Sequence, residues 1–276
     1  MSYFDCWQSA EHACLFDYRD YFPAFRLAGI YANFNEFNLF RTFVNSNCNG
    51  TLLEVGCATG ASFRFFKKFY RNIKYTGADI SQSALTQAQR KYPHGNFIQV
   101  DSESSQLTGK KFDFVFCRDV VLHQISPFEF LTKLSSVSGK GIFLRLRTRD
   151  KGATELNVEK SCQINYGAWA PYIIINTDEL ISYFKEMPRC RRIVLNKNYM
   201  VLGGVNSRFL PKDCYLSEIG TAETAVYAEF GDGEVQEPEV IVEILKDASR
   251  FSFVDRLLNK CMRILTGSKI NSRIWW

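Results

Sequence analysis

Thr51-Leu52-Leu53-Glu54-Val55-Gly56-Cys57-Ala58-Thr59-Gly60 is the stretch on which the reading of this chain turns. Short apolar residues run directly into small ones, the pattern of a buried parallel strand that ends in a tight turn where backbone must approach a ligand closely. A bulky side chain at Gly56 or Gly60 would fill that space. Beyond the turn, Ala61 to Phe69 is expected to start a helix whose free amide groups face whatever occupies the turn. Strand, turn and helix in this order are nucleotide-binding architecture.

The glycine turn alone does not choose the nucleotide, because the NAD fingerprint G-x-G-x-x-G/A can nearly be laid on Gly56, Ala58 and Ala61. The next segments decide. Lys74 to Ile80 reads as a second strand ending in an acid, Asp79, and Ser81 caps an expected helix reaching Arg90. A third strand, Asn96 to Val100, again ends in an acid, Asp101. A fourth, Phe112 to Cys117, runs into Arg118-Asp119-Val120-Val121-Leu122-His123-Gln124-Ile125. Pro127 to Val137 is a helix with proline in its first turn, and Gly141 to Thr148 a fifth strand. The alternation makes an α/β sheet with helices on both faces.

This succession resembles the class I S-adenosylmethionine (SAM) methyltransferases over roughly residues 50 to 148, through four ordered motifs at compatible spacing. The resemblance implies a Rossmann-like sheet, mostly parallel with antiparallel C-terminal strands, and SAM as cofactor. It assigns cofactor contacts to Glu54, Gly56, Ala58, Gly60, Asp79, Ile80, Asp101, Ser102 and Cys117. Asp79 would accept hydrogen bonds from the ribose hydroxyls, a task that suits a carboxylate. Asp101 with Ser102 would meet the adenine amino group, Ile80 the adenine face, and Glu54 the methionine part. Ala58 departs from the family, many of whose members carry glycine there.

Methyl transfer from a sulfonium is an in-line displacement, so holding the acceptor aligned supplies much of the acceleration. An oxygen acceptor must also lose its proton. His123, just after the fourth strand, is the candidate base, since imidazole titrates near neutrality. Its competing reading is packing, with Arg118 and Asp119 positioning the acceptor instead. The adenine N-methyltransferase signature Asn/Asp-Pro-Pro-Tyr is absent after the fourth strand, where Cys117-Arg118-Asp119-Val120 stands. Exocyclic base amines are therefore disfavoured. Trp169-Ala170-Pro171-Tyr172 leading into Asn176 to Leu180 is similar to methyltransferases associated with bacterial surface-polysaccharide synthesis, which makes a small molecule, sugar or lipid-linked glycan hydroxyl the expected acceptor. The alternatives are a non-catalytic SAM-binding or scaffold protein and, more distantly, an NAD-dependent oxidoreductase.

The rest of the chain is organised around that domain, read as residues 50–235 of 276. Residues 1–49 form an aromatic-rich helical cover, in which Asn33 to Val44 is a helix packed on the sheet and Tyr18 to Phe25 a candidate cofactor flap. Residues 149–175 are expected as an ordered acceptor loop, because Tyr166, Trp169 and Tyr172 are unlike a disordered linker. Asn176 caps the next helix with Glu179 at the reciprocal position. Strands are expected at Arg191 to Leu195, Tyr199 to Leu202, Cys214 to Ser217 and Ala225 to Phe230, with a turn at Gly203-Gly204.

Residues 236–276 read as a helical basic tail. Between residues 250 and 276, Arg250, Arg256, Lys260, Arg263, Lys269 and Arg273 stand against Asp255 alone, which accounts for the whole net charge of +5. The balanced remainder gives no reason to expect nucleic acid. Val254, Leu257, Leu258, Cys261 and Leu265 recur at helical spacing before Trp275-Trp276, so peripheral contact with an anionic membrane is the expectation for residues 250–276. No apolar run suits a spanning helix and Met1 to Asp5 lacks a basic segment before an apolar one, which points to the cytoplasm. Nine cysteines without a C-x-x-C pair read as reduced thiols, and three scattered histidines as no zinc site.

Overall fold

Strand β1, Gly50–Val55, lies in the middle of the molecule with parallel neighbours on both sides. Its Leu52 and Leu53 are fully buried on opposite faces, because successive strand residues point to opposite sides and both sides are covered. The structure, a computed structural model, describes residues 5–9, 34–102, 104–165, 168–199, 221–233 and 236–246. The flap at Tyr18 to Phe25, Tyr166, the expected strands from Met200 to Leu202 and Cys214 to Ser217, the Gly203-Gly204 turn and the tail at 250–276 lie outside them.

Helix α1, Asn35–Phe43, precedes β1. After β1 come α2 (Phe63–Phe69), β2 (Ile73–Asp79), α3 (Gln82–Lys91), β3 (Asn96–Gln99), β4 (Phe112–Arg118), α4 (Pro127–Val137) and β5 (Ser138–Arg149). The hairpin β6 (Cys162–Asn165) and β7 (Ala168–Pro171), the two-residue β8 (Ile175–Asn176), α5 (Thr177–Lys185), β9 (Cys190–Asn198), β10 (Ala222–Phe230) and β11 (Glu239–Lys246) complete the described chain. The main sheet runs β11-β9-β10-β5-β4-β1-β2-β3, with β8 beside the end of β5. The order reverses between β1 and β4, and in open sheets of this kind the ligand crevice lies at such a reversal, at the carboxyl ends of the strands.

The two faces bury different chemistry. Leu53, Val55, Val115, Ile142, Leu144 and Leu195 pack under α4 and α5 through Leu131, Leu134, Leu180 and Phe184. The other face is aromatic. Phe40 of α1 lies 4.7 Å from Phe143 and 5.2 Å from Phe66 of α2, edge or tilted to its neighbours as ring quadrupoles favour. Thus the helix expected from Asn33 to Val44 does cover the sheet.

The structure corrects several expectations. Helix α2 begins at Phe63, not Ala61, because Gly60 and Phe63 make tight turns first (Gly60 N to Cys57 O 2.9 Å, Phe63 N to Gly60 O 3.0 Å). Of the C-terminal strands only β10 is antiparallel to its neighbours, while β11 runs parallel to β9. Glu239–Lys246, expected inside a helical tail, is that edge strand; its β-branched Val240, Ile241, Val242 and Ile244 suit a pleated surface better than a helix. Asn176 caps α5 as expected, accepting from Asp178 N and Glu179 N at 2.9 and 3.0 Å. The reciprocal bond does not form. The Glu179 carboxylate accepts from Thr154 N at 3.1 Å, and Asn176 N donates to Thr154 Oγ1, so the capping residues pin the loop after β5.

Within that loop, residues 162–165 and 168–171 pair as a hairpin the sequence did not announce. Cys162 faces Pro171 and Gln163 faces Ala170. Tyr172 is buried at its foot, whereas Trp169 is 49% exposed. Among the described residues no helix is long and apolar enough to cross a membrane. Cys57, Cys117, Cys162 and Cys190 are buried free thiols, and Cys48 is a half-buried one.

Candidate active site

The turn after β1 is built by its own strand neighbours. Gly56 N and Cys57 N both donate to Ala78 O of β2, at 2.8 and 3.1 Å. Ala58 N, one residue further, donates to Asp79 Oδ2 at 2.7 Å, and Ser81 N donates to the other oxygen at 2.9 Å. Asp79 therefore ties the glycine turn to the start of α3. The amides that face an acid here belong to the turn and not to α2.

Gly56 and Gly60 sit at φ +79° and +76°, where L side chains are rarely found. A Cβ on Gly56 would come within 2.2 Å of Val120 Cγ2, and one on Gly60 within 2.9 Å of the Phe97 ring. Ala58 adopts the same left-handed region at φ +47°, at a cost of roughly 1–2 kcal/mol that glycine would not incur. Its amide bond to Asp79 offsets part of this. Thr59 next to it is fully buried, and its hydroxyl has no hydrogen-bond partner.

Glu54 is buried at the base of the turn. The Tyr75 hydroxyl donates to its Oε2, and although this bond and one from Ser62 favour the anion, burial raises the carboxyl above its ordinary range. Burial likewise raises Asp79, against the backbone N–H groups of Ser81 and Ala58. It pushes the Cys117 thiol up as well. Ile80 packs half-buried against the α4 side of the core.

β3 stops at Gln99, so Asp101 lies two residues beyond it, and its carboxylate is engaged locally, taking Ser105 N at 2.9 Å, the Ser105 hydroxyl and Gln106 Nε2 at 3.2 Å. Ser102 lies in that turn. His123 closes a short 3-10 turn, Val121–His123, directly behind β4. Its Nδ1 is 2.8 Å from Pro171 O of β7, and its ring lies 4.4 Å from the Trp7 ring and 5.9 Å from Tyr172. Glu54, Gly56, Ala58, Gly60, Asp79 and Cys117 thus converge at the carboxyl ends of β1, β2 and β4, with Asp101 and His123 on either flank.

Sequence reasoning missed two features. Tyr75 fixes Glu54; it stands two positions into β2 from the aromatic side and carries no motif. The other is an ion-pair cluster beside the crevice. Arg118 Nε lies 2.5 Å from Glu36 Oε1 of α1, Arg145 pairs with Asp119 and, at 3.5 Å, with Glu36, and Arg147 lies 3.1 Å from Glu223 of β10 and 3.7 Å from Asp119. Arg145 and Arg147 were legible only as polar interruptions of an apolar strand.

Comparison with known proteins agrees with this geometry. Residues 52–141 match the family described as "Methyltransferase domain". No curated protein matches the chain by sequence. Among solved structures, magnesium protoporphyrin IX methyltransferase from Synechocystis PCC 6803, with bound SAH, is similar at 15% identity and TM-score 0.52, covering 82% of this chain and 97% of that one. The N-terminal domain of EvdMO1 with SAH bound is similar at 15% identity and TM-score 0.52, over 74% of this chain and 85% of that one. Haemonchus contortus phospholethanolamine N-methyltransferase 2 is similar at 14% identity and TM-score 0.53, over 71% of this chain and 47% of that one. The sheet that reverses at β1 is thus of the Rossmann-like kind seen in these methyltransferases, and the half of it that carries the reversal, residues 52–141, matches a methyltransferase domain.

Proposed function

We propose that the chain transfers the SAM methyl group to a hydroxyl of a small molecule or of a sugar or glycan. The observation that carries the oxygen acceptor is the state of His123. A carbonyl oxygen only accepts, so Nδ1 beside Pro171 O carries a proton, which leaves Nε2 as the nitrogen that would act as the base. A buried base of fixed tautomer behind β4 is what a hydroxyl needs and a pre-neutralised amine does not.

The residues suit the cofactor. Thr59 keeps a buried hydroxyl without a partner in the turn, and the positive φ at Gly56 and Gly60 keeps side chains out of it. Asp79 would hold the ribose, Asp101 and Ser102 the adenine edge, Ile80 the adenine face, Glu54 the methionine end, and Cys117 the floor. When bound, SAM supplies an electrophilic methyl on a sulfonium. The chain's share is to orient the acceptor oxygen and take its proton on His123 as the oxygen–carbon bond forms and the carbon–sulfur bond breaks.

The test is turnover with methyl-labelled SAM in a native extract, with the product identified by mass spectrometry. His123→Ala is expected to lower turnover at neutral pH by about 10²–10⁴-fold, the usual contribution of a positioned base, with SAM affinity nearly intact. Normal turnover in that variant would return His123 to packing. Tight SAM binding with no transfer to any acceptor would favour a scaffold.

A glycan acceptor is supported by the similarity at Trp169 to Tyr172, and a lipid-linked one would give purpose to membrane contact through residues 250–276. The full chain is then expected to pellet with phosphatidylglycerol vesicles in low salt and a chain ending at Ser249 to stay in solution. Equal pelleting of the two would refute that contact.

A further inference from the structure

We infer that the polar array on the α1 side of the crevice, formed by Glu36, Asp119, Arg145 and Asn196, is the acceptor subsite, and that the unit it holds is uncharged and polyhydroxylated. This rests on the methyltransferase function proposed for the chain and goes beyond it by naming the residues and the chemistry they select.

The array arises from register. Arg118 of β4 stands opposite Arg145 of β5, Arg145 opposite Ala225 of β10, and Ala225 opposite Asn196 of β9. Residues opposite one another in a ladder project from the same face. Ala225 belongs to the aromatic face with Phe143 and Tyr227, so Arg145 and Asn196 rise from that face too, one step beyond the rings toward the crevice. Glu36 reaches Arg145 from α1. Asp119 comes from the residue after β4, held at φ +53° with its N–H on Arg145 O at 2.8 Å.

The charges in the cluster are already matched. Arg118, Arg145 and Arg147 face Glu36, Asp119 and Glu223, each cation within 4 Å of a carboxylate. A phosphate, carboxylate or ammonium on the ligand would enter as an uncompensated buried charge, which is costly. The hydrogen-bonding capacity, in contrast, is not used up. Glu36 Oε2, Asp119 Oδ1 and Asn196 Oδ1 are buried acceptors without hydrogen-bond partners, and Arg145 Nε is a buried donor without one. Native interiors rarely leave such groups unmet, and each then calls for an explanation. Three idle acceptors beside one idle donor ask for a ligand that mostly donates and can also accept, without carrying charge. Vicinal hydroxyl groups do this. An apolar ligand would leave all four idle.

If the array only fastened α1 to the sheet, Asn196 would have no role, since it joins none of these ion pairs. This separates the two explanations. Purified full-length chain would be given methyl-labelled SAM and a panel of methyl glycosides of neutral hexoses and 6-deoxyhexoses, beside the matching uronates and sugar phosphates. Transfer to neutral glycosides is expected at least about tenfold faster, by kcat/KM, than to their charged counterparts. Asn196→Ala should raise the Michaelis constant for the best glycoside by about tenfold, the upper range for one neutral hydrogen bond, with SAM affinity and kcat little changed. Asn196→Asp, which keeps the shape but adds a negative charge, should raise it as well, and it serves if the alanine variant fails to fold. Preference for a charged acceptor, no transfer to any glycoside, or an unchanged Michaelis constant in both variants would overturn the subsite. Loss would fall on the methyltransferase function instead if calorimetry showed that the wild-type chain does not bind SAM.

Discussion

Replacing Arg145 with alanine is expected to destabilise the protein by about 3–5 kcal/mol, the range for breaking a buried ion pair from one side. Its guanidinium is buried on β5, paired with Asp119 and lying 3.5 Å from Glu36. Removal leaves Asp119 only its 3.7 Å contact with Arg147 and leaves Glu36 only Arg118, in surroundings with little access to water. Arg145→Lys should lose less, because it keeps the charge and forfeits only the planar fork. Urea unfolding of the three proteins measures the effect, and a loss below about 1 kcal/mol in the alanine variant would mean that the carboxylates find water after all.

Acid gives an independent arm of the same experiment. Burial alone would raise the Asp119 carboxyl, but the charges of Arg145 and then Arg147 outweigh it and hold it well below the ordinary carboxylate range. A carboxyl more acidic in the folded state adds stability above its unfolded value and loses it as pH falls through that value toward the folded one. The wild-type chain should therefore weaken as pH drops below the ordinary 3.8, and Arg145→Ala should show a shallower dependence there.

Asp79→Ala is expected to weaken SAM binding by roughly 1.5–3 kcal/mol, about 10- to 150-fold, the range for hydrogen bonds to a charged group. It should also cost stability, since Ala58 N and Ser81 N lose their acceptor. The left-handed Ala58 would then have nothing to offset its strain. Asp79→Asn can serve only one of the two amides with its single acceptor oxygen, so an intermediate result is expected in both measurements. Calorimetry with SAM and thermal unfolding read the two effects separately. Unchanged affinity with lowered stability would reduce Asp79 to a fastener of the turn.

Local chemistry was legible in the chain wherever it repeats a short-range rule. Alternating apolar residues into Gly56 and Gly60, acids at the end of β2 and just beyond β3, Ser81 and Asn176 as caps, and Pro127 at a first helical turn each depend on a few neighbouring residues. The strand at Glu239–Lys246 pairs with β9 alone among the described strands, and its short apolar run is readily taken for part of a helical basic tail. The hairpin at 162–171 was hidden for a similar reason, its pairing being set by what the loop packs on.

The amino-acid order by itself determined the Rossmann-like class and the residues gathered around the glycine turn, because strand period, turn chemistry and caps act over a few positions and leave a local imprint. Only the tertiary structure decided that Asp79 holds Ala58, that Pro171 fixes the proton of His123, and that Glu36, Asp119, Arg145 and Asn196 share one face. Those relations join residues from 21 to 109 positions apart for the bonded pairs alone. They are products of strand order and register, which no local pattern encodes.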